Sequence, residues 1–414
     1  MRGPSLAALR HRDFALYAGA NFLWTIGLQI QATALAWHMY EITHDAFKLG
    51  LVGLMEFLPA ALLALPAGHL ADRIDRRRII LVGAGGELAA AAVLFALSAT
   101  GGLSVLAILA LALAFGIARA IATPAARALM PNLMPKEHFA SAVAWSSTSW
   151  QVATIAGPGI SGLLYAVAPP VAYGGATVAF AAAITAVFRM RGRAVTAAPP
   201  SSTDRVGAEG DLVALLAGLA LIFRNRLLLG AISLDLFAVL FAGATALIPV
   251  FAQDILRVGP FAGLALLSAQ GIGAVVTALV LTQRPLERHV GRRLFVAVGV
   301  FGLAAIAFGL SDVYWLSFAT LLVLGAADMV SVYVRGTLVP LATPDALRGR
   351  VVAVESVFIG ASNELGRFVA GSGAALIGPV SAVLLGGSLT LAVTFAWSRL
   401  FPPLRRVDRF ADLT

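Results

Sequence analysis

Apolar runs of roughly twenty residues, interrupted by short polar or charged stretches, recur from end to end of the chain. An uncharged run of that length matches the hydrocarbon thickness of a bilayer when it is helical. The pattern predicts twelve such spans. The first four cover about residues 14–37, 49–68, 79–98 and 104–123, and the fifth and sixth end near 165 and 188. The second six cover about residues 227–251, 261–282, 294–310, 314–334, 351–376 and 380–397. Gly101-Gly102 and Pro169-Pro170 mark turns, and Pro131 and Pro135 disfavour a continuous helix through 124–138.

The predicted organisation is all-α and polytopic. Residues 1–190 form one six-helix bundle, 191–226 a linker, 227–400 a second six-helix bundle and 401–414 a tail. Within the linker, residues 199–204 are flexible and polar, whereas 212–223 are apolar but too short to span and are expected at the membrane interface.

Composition agrees with lipid as the solvent. The chain of 414 residues is 59% hydrophobic and 12% charged, with mean hydropathy +0.89. A net charge of +9 would suggest nucleic acid in a soluble protein, but here the basic residues sit between the apolar runs. The absence of cysteine excludes disulfides and thiolate metal sites. The first apolar run is too long for the core of a detachable signal peptide.

With twelve spans both termini share one side, and 27 of the 30 basic residues fall on that side. This count includes Arg335, taken as part of the turn between spans 10 and 11. The bias makes both termini cytoplasmic, in the cell (inner) membrane.

Between spans 2 and 3 stands Gly68-His-Leu-Ala-Asp72-Arg73-Ile-Asp75-Arg76-Arg77-Arg78, too charged for hydrocarbon and therefore expected as a solvated turn. It resembles the signature of the major facilitator superfamily at that position, except that Asp75 replaces the usual Gly. Ala153-Thr-Ile-Ala-Gly157-Pro158-Gly159-Ile-Ser161-Gly162 is similar to the antiporter motif, with Ala153 and Ser161 replacing two glycines. Its small residues permit close helix contact and Pro158 permits a bend; ordinary packing is the plainer reading. Together with Leu341-Ala-Thr-Pro344 and Arg348-Gly-Arg350-Val351, these motifs resemble the enterobactin-exporter and macrolide-efflux branch.

The halves also repeat. A shift of 209 residues pairs Gly116 with Gly325, Pro131 with Pro340, Pro135 with Pro344, Gly157 with Gly366 and Gly162 with Gly371. A shift of 214 pairs Arg10 and Arg12 with Arg224 and Arg226. A shift of 216 pairs Arg76 and Arg77 with Arg292 and Arg293. The resemblance implies two bundles in parallel repeat with a substrate site between them near mid-membrane.

A charge at mid-bilayer costs on the order of 3 kcal/mol, so each needs a partner or a purpose. The candidates are Glu56, Glu87, Arg119, Asp235, Asp328, Glu364 and Arg367. Asp235, Asp328 and Glu56 are the proton-coupling candidates, Asp235 first, with a bond to Ser233 or a facing helix as its structural alternative. Arg119 and Asp328 are repeat-equivalent and form a candidate gate pair; the alternative is a local partner for each, Glu87 and Arg335. Glu364 and Arg367, spaced i,i+3, are expected to neutralise each other.

By resemblance Asp72 meets a helix N-terminus and links the halves, while Arg73 and Arg76–Arg78 hold helix ends and lipid phosphates. Asn21, Trp24, Gln29, Gln31, Trp37, Tyr333 and Asn363 are cavity candidates, with Trp37 and His38 alternatively belt residues at the extracellular end.

The implied activity is export of a small molecule, a siderophore or amphiphilic drug, in exchange for protons. A proton-driven uptake carrier and a lipid flippase are the competing readings on the same fold. Neither a P-loop nor a G-x-S-x-G elbow is present, and no enzyme activity is expected. The expected partners are the substrate, protons and membrane lipids, with no cofactor, no metal and no nucleic acid, and the chain is expected as a monomer.

Overall fold

The computed structural model describes residues 10–129, 133, 139–190 and 218–413. Among these, twelve long helices follow one another. In the first half they are α1 (Arg12–Thr43), α2 (Ala46–Arg73), α3 (Arg76–Ala99), α4 (Val105–Leu129), α5 (Phe139–Val167) and α6 (Pro169–Phe188). In the second they are α7 (Arg226–Phe241), α8 (Pro260–Gln283), α9 (Val290–Gly309), α10 (Tyr314–Leu341), α11 (Asp345–Ile377) and α12 (Pro379–Leu400). A short helix, α13 (Pro402–Arg406), follows α12 directly.

Nine of the described segments are long and apolar enough to cross a membrane. The protein is an integral membrane protein. Helices α1 and α11 carry polar residues among their apolar ones, such as Gln29 and Gln31 in α1 and Asn363, Glu364 and Arg367 in α11.

The chain forms two compact units, residues 1–44 with 52–205, and 45–51 with 206–414. Each has the same internal pairing. In the first, α1 packs on α5 and α6, and α3 on α4 and α6. In the second, α7 packs on α11 and α12, and α9 on α10 and α12. The crossings coincide residue by residue. A side chain on Gly116 would meet the Glu56 backbone carbonyl, and one on Gly325 would meet that of Gln270. A side chain on Gly157 would meet Gln29, while Gly243 meets the Gly366 carbonyl. All four pairs obey the shifts of 209 and 214 residues. Small residues let helix backbones approach closely where lipid supplies no hydrophobic drive.

The structure corrects several expected boundaries. The basic stretch is mostly helix: α2 continues to Arg73 and α3 begins at Arg76. Asp75, where the signature has Gly, caps α3 by accepting from the Arg77 and Arg78 amides at 2.8 and 3.3 Å. Helix α4 runs through Pro124 to Leu129 instead of stopping at Thr123.

The seventh span is not one helix. After Phe241 the backbone tightens into a 3-10 turn over Gly243–Leu247 and widens into a π turn over Phe251–Ile255. Pro249 explains the first irregularity, because its ring displaces the Thr245 carbonyl and removes a donor. Residues 218–224 are helical, and Ile222 is 1% exposed in a cluster with Leu228, Val351 and Leu404, so this part of the expected interfacial segment is built into the core. The linker residues 191–217, Pro131 and Pro135 lie outside the described residues.

Gly325→Ala is expected to destabilise the protein by about 1–3 kcal/mol through overpacking against Gln270. Gly85→Ala, which meets nothing within 4 Å, is expected to stay within about 0.5 kcal/mol of the parent. Thermal melting of the detergent-purified variants checks the pair, and equal midpoints would reject the crossing.

Candidate functional site

The second unit holds a buried charge cluster. Asp235 is the tenth residue of α7 and is 5% exposed; Arg335, near the end of α10, is 4% exposed. The Arg335 Nη2 meets the Asp235 Oδ1 at 2.7 Å, and its Nη1 stands 3.6 Å from the Glu355 Oε1 on α11. The same guanidinium donates from Nε to the Ser331 hydroxyl one turn earlier on α10, at 3.4 Å. Asp328, two turns before Arg335, is within electrostatic reach of both Asp235 and Arg335.

A small cavity adjoins the cluster. Asp235, Ala238 and Val239 line it from α7, Val298 and Phe301 from α9, and Ala327, Asp328 and Ser331 from α10. Both aspartates therefore face one space. Three carboxyl groups surround one guanidinium, so the fully ionised cluster carries a net charge of −2. Buried charge of that size requires a bound proton, a cation or water to be tolerated.

Ser233 is not the partner of Asp235. Its hydroxyl donates to the Leu229 carbonyl and accepts from the Trp397 indole at 2.8 Å. Arg335, counted by its sequence position among the turn residues, is in fact interior. Glu355 was missed, although the signal was present: it is a single carboxylate in the apolar stretch Val351-Val-Ala-Val-Glu355-Ser-Val-Phe358.

The first unit has its own buried charged groups. Glu87 on α3 is fully buried beside Arg119 on α4 and the Trp24 indole on α1. Each member of the expected gate pair thus has a partner within its own unit, Glu87 for Arg119 and Arg335 for Asp328. Glu56 is buried on α2 at 1% exposure.

The remaining candidates separate by role. Gln29 donates to the Thr154 carbonyl at 3.2 Å, and Ser161 donates to the Ile30 carbonyl at 2.9 Å, so the antiporter-like stretch with Gly157, Pro158 and Gly162 forms the α1–α5 seam. Asn21 is half-buried and Gln31 is 1% exposed, its amide without a hydrogen-bond partner among the described residues.

Tyr333 packs edge-on against Phe410 of the tail, at 6.2 Å between ring centres, rather than toward the cavity beside Asp328. Asn363 is exposed and donates to the Ile359 carbonyl of its own helix at 2.9 Å. Trp37 is interior at 1% exposure, and His38, half-buried, stacks on Tyr173. Glu364 and Arg367 pair at 2.9 Å.

At the basic turn, Arg77 donates to the Phe188 carbonyl at 2.7 Å and holds the end of α6, where the helix dipole is negative. The backbone of Gly68, Asp72 and Arg73 is helical, and their side chains lie outside the described residues.

Residues 3–411 match the transmembrane secretion effector family. The chain belongs to that family, within the major facilitator superfamily. Its relatives are transporters by name. The enterobactin exporter EntS of Citrobacter koseri is 26% identical over 401 residues, covering 96% of this chain and 93% of that protein. The enterobactin exporter EntS of an Escherichia coli O1:K1 strain matches with the same identity and coverage. The staphyloferrin A transporter of Staphylococcus aureus is 28% identical over 152 residues, 36% of this chain and 38% of that protein.

Among solved structures, a bacterial homologue of the human lysosomal transporter Spinster superposes with TM-score 0.73 at 14% identity, covering 95% of this chain and 98% of that one. A transporter of the POT family superposes with TM-score 0.70 at 13% identity, covering 95% and 96%. These likenesses establish the major facilitator fold.

Arg335→Met is expected to cost about 3–5 kcal/mol, because it leaves buried carboxylates uncompensated. Adding Asp235→Asn is expected to recover part of that loss, since Glu355 and Asp328 remain. A double-mutant melting cycle measures the coupling, and additive losses would show that the two groups act separately.

Proposed function

We propose that the protein is a proton-coupled exporter of a small molecule, working by alternating access in the inner membrane with both termini cytoplasmic. The observation that carries this reading is the surplus of carboxylates around Arg335, beside a cavity shared by Asp235 and Asp328. A transporter exchanging substrate for protons needs a group that releases a proton in one state and takes one up in another. Asp235 and Asp328 meet that need, because only one guanidinium is present to fix three carboxyl groups. Glu355 is the third member and shares the same cation.

Glu56 and the Glu87–Arg119 pair are less suited. Glu87 has the Arg119 cation beside it. The local partners of Arg119 and Asp328 also take precedence over a gate between these two residues.

The full-length similarity to enterobactin exporters supports outward transport of a siderophore-like or amphiphilic molecule. The match to the staphyloferrin A transporter points to the same substrate class over a shorter stretch. The basic turns, which gather on one side of the predicted topology, support the cytoplasmic placement of both ends.

Asp235→Asn is expected to abolish substrate efflux driven by an imposed pH gradient in proteoliposomes, with enterobactin as the probe. The same variant is expected to retain substrate exchange at equal pH, since exchange needs no net proton movement. Undiminished pH-driven efflux in Asp235→Asn would overturn the coupling role. Accumulation of enterobactin in the opposite direction would overturn the export reading.

A further inference from the structure

A second charged feature lies away from the coupling cluster, at the junction of α9 with the tail. His289, Arg292, Arg405, Arg406, Val407 and Asp408 line an open cleft there. The fold builds this cleft deliberately from two ends of the unit. Leu404 and Val407 are buried in the apolar cluster with Val290, Leu294 and Leu338, and Phe410 packs beside them. Apolar positions three residues apart therefore anchor the tail and leave Arg405 and Arg406 exposed on its open side.

The backbone fixes the register. The Val290 amide donates to the Asp408 carbonyl at 3.2 Å, and the Gly291 amide donates to the Val407 carbonyl at 3.0 Å. The His289 amide donates to the Asp408 carboxylate at 2.9 Å. Any side chain at Gly291 would strike the Leu404 carbonyl, so glycine is what allows the tail to dock. Docking brings the two tail arginines beside Arg292 in the first turn of α9.

The three guanidinium groups have no ion pair among the described residues, and the Asp408 carboxylate that shares the cleft stands 3.8 Å from both His289 and Arg409. Like charges held together by the backbone repel one another unless an anion lies between them. Planar guanidinium groups suit anions with paired oxygens, carboxylates and phosphates.

Depth narrows the source. Arg292 is the third residue of α9, roughly 3 Å along the axis from the helix start, and Arg405 and Arg406 line the same cleft. The polar zone flanking the hydrocarbon core is about 5–8 Å deep on each side. The cleft therefore opens at the level of lipid phosphates.

We propose that Arg292, Arg405 and Arg406 form a binding site for the phosphate of an anionic phospholipid headgroup, which fastens the tail to α9. The site is independent of the coupling cluster and of the direction of transport. Lipid bound there would stabilise the docked tail, and through Leu404 and Val407 the cluster at that end of the unit.

The test uses the full chain purified in a non-ionic detergent, with melting followed after addition of phosphatidylglycerol, phosphatidylcholine or inorganic phosphate. Phosphatidylglycerol is expected to raise the melting midpoint and phosphatidylcholine is not. Each Arg→Gln change in the cleft is expected to weaken the lipid effect by roughly tenfold in the concentration required. Arg405→Gln with Arg406→Gln tests the tail side, and Arg292→Gln tests α9 without altering the docked segment. Native mass spectrometry counts retained phosphatidylglycerol independently of melting. Equal protection by phosphatidylcholine, or a lipid effect unchanged in both variants, would overturn the site. Equal protection by inorganic phosphate would overturn the lipid assignment in favour of a soluble anion.

Discussion

A single guanidinium holds the interior of the second unit together. Arg335 reaches from α10 to Asp235 on α7 and to Glu355 on α11, with Asp328 close by on its own helix. An ion pair removed from water stabilises a fold only when its geometry is tight and its remaining donors are used. Here one nitrogen is 2.7 Å from Asp235, a second faces Glu355 and the third bonds Ser331. With its donors committed, Arg335 ties three helices together, and one guanidinium stands among three carboxyl groups.

The same scaffold carries different electrostatics in its two copies. Both units cross their helices at repeat-equivalent small residues, Gly116 with Gly325 and Gly157 with Gly366. Charge does not follow the repeat. Arg119 occupies the position equivalent to Asp328, and Asn21 that equivalent to Asp235. The first unit sets Arg119 beside Glu87 with Glu56 buried on α2, whereas the second sets one arginine among three acids. A duplicated frame thus carries an unequal distribution of buried charge, and the proposed proton chemistry rests on that asymmetry. The irregular backbone after Phe241 also belongs to the second unit alone among the described residues, on the helix that bears Asp235.

Much of this was legible in the sequence because lipid imposes a strict rule on backbone and charge. Every span must be helical, so apolar run length sufficed to set out the helices, and the repeat in Gly116 and Gly325 anticipated two matching crossings. Boundaries were less legible, because helices extend past the apolar run wherever a cap such as Asp75 or a packed end sustains them. The break in the seventh span carried a signal in Gly243 and Pro249 that an apolar count ignores.

Partners were the least legible part. Asp235 and Arg335 are a hundred residues apart, and nothing local announces their meeting. Arg335 looked like a turn residue because it stands where the apolar run ends, and only packing of α10 against α7 and α11 brings it inside. Tyr333, two residues earlier, faces the tail instead, since neighbouring positions on a helix point in different directions.

The central claim is that the acids around Arg335 bind and release a proton. Infrared difference spectroscopy of the reconstituted protein across a pH titration addresses it most directly, through the carboxyl stretching bands. The account predicts a carboxyl signal that changes with pH in the parent and disappears in Asp235→Asn with Asp328→Asn. An identical pH response in the parent and in that double variant would contradict it.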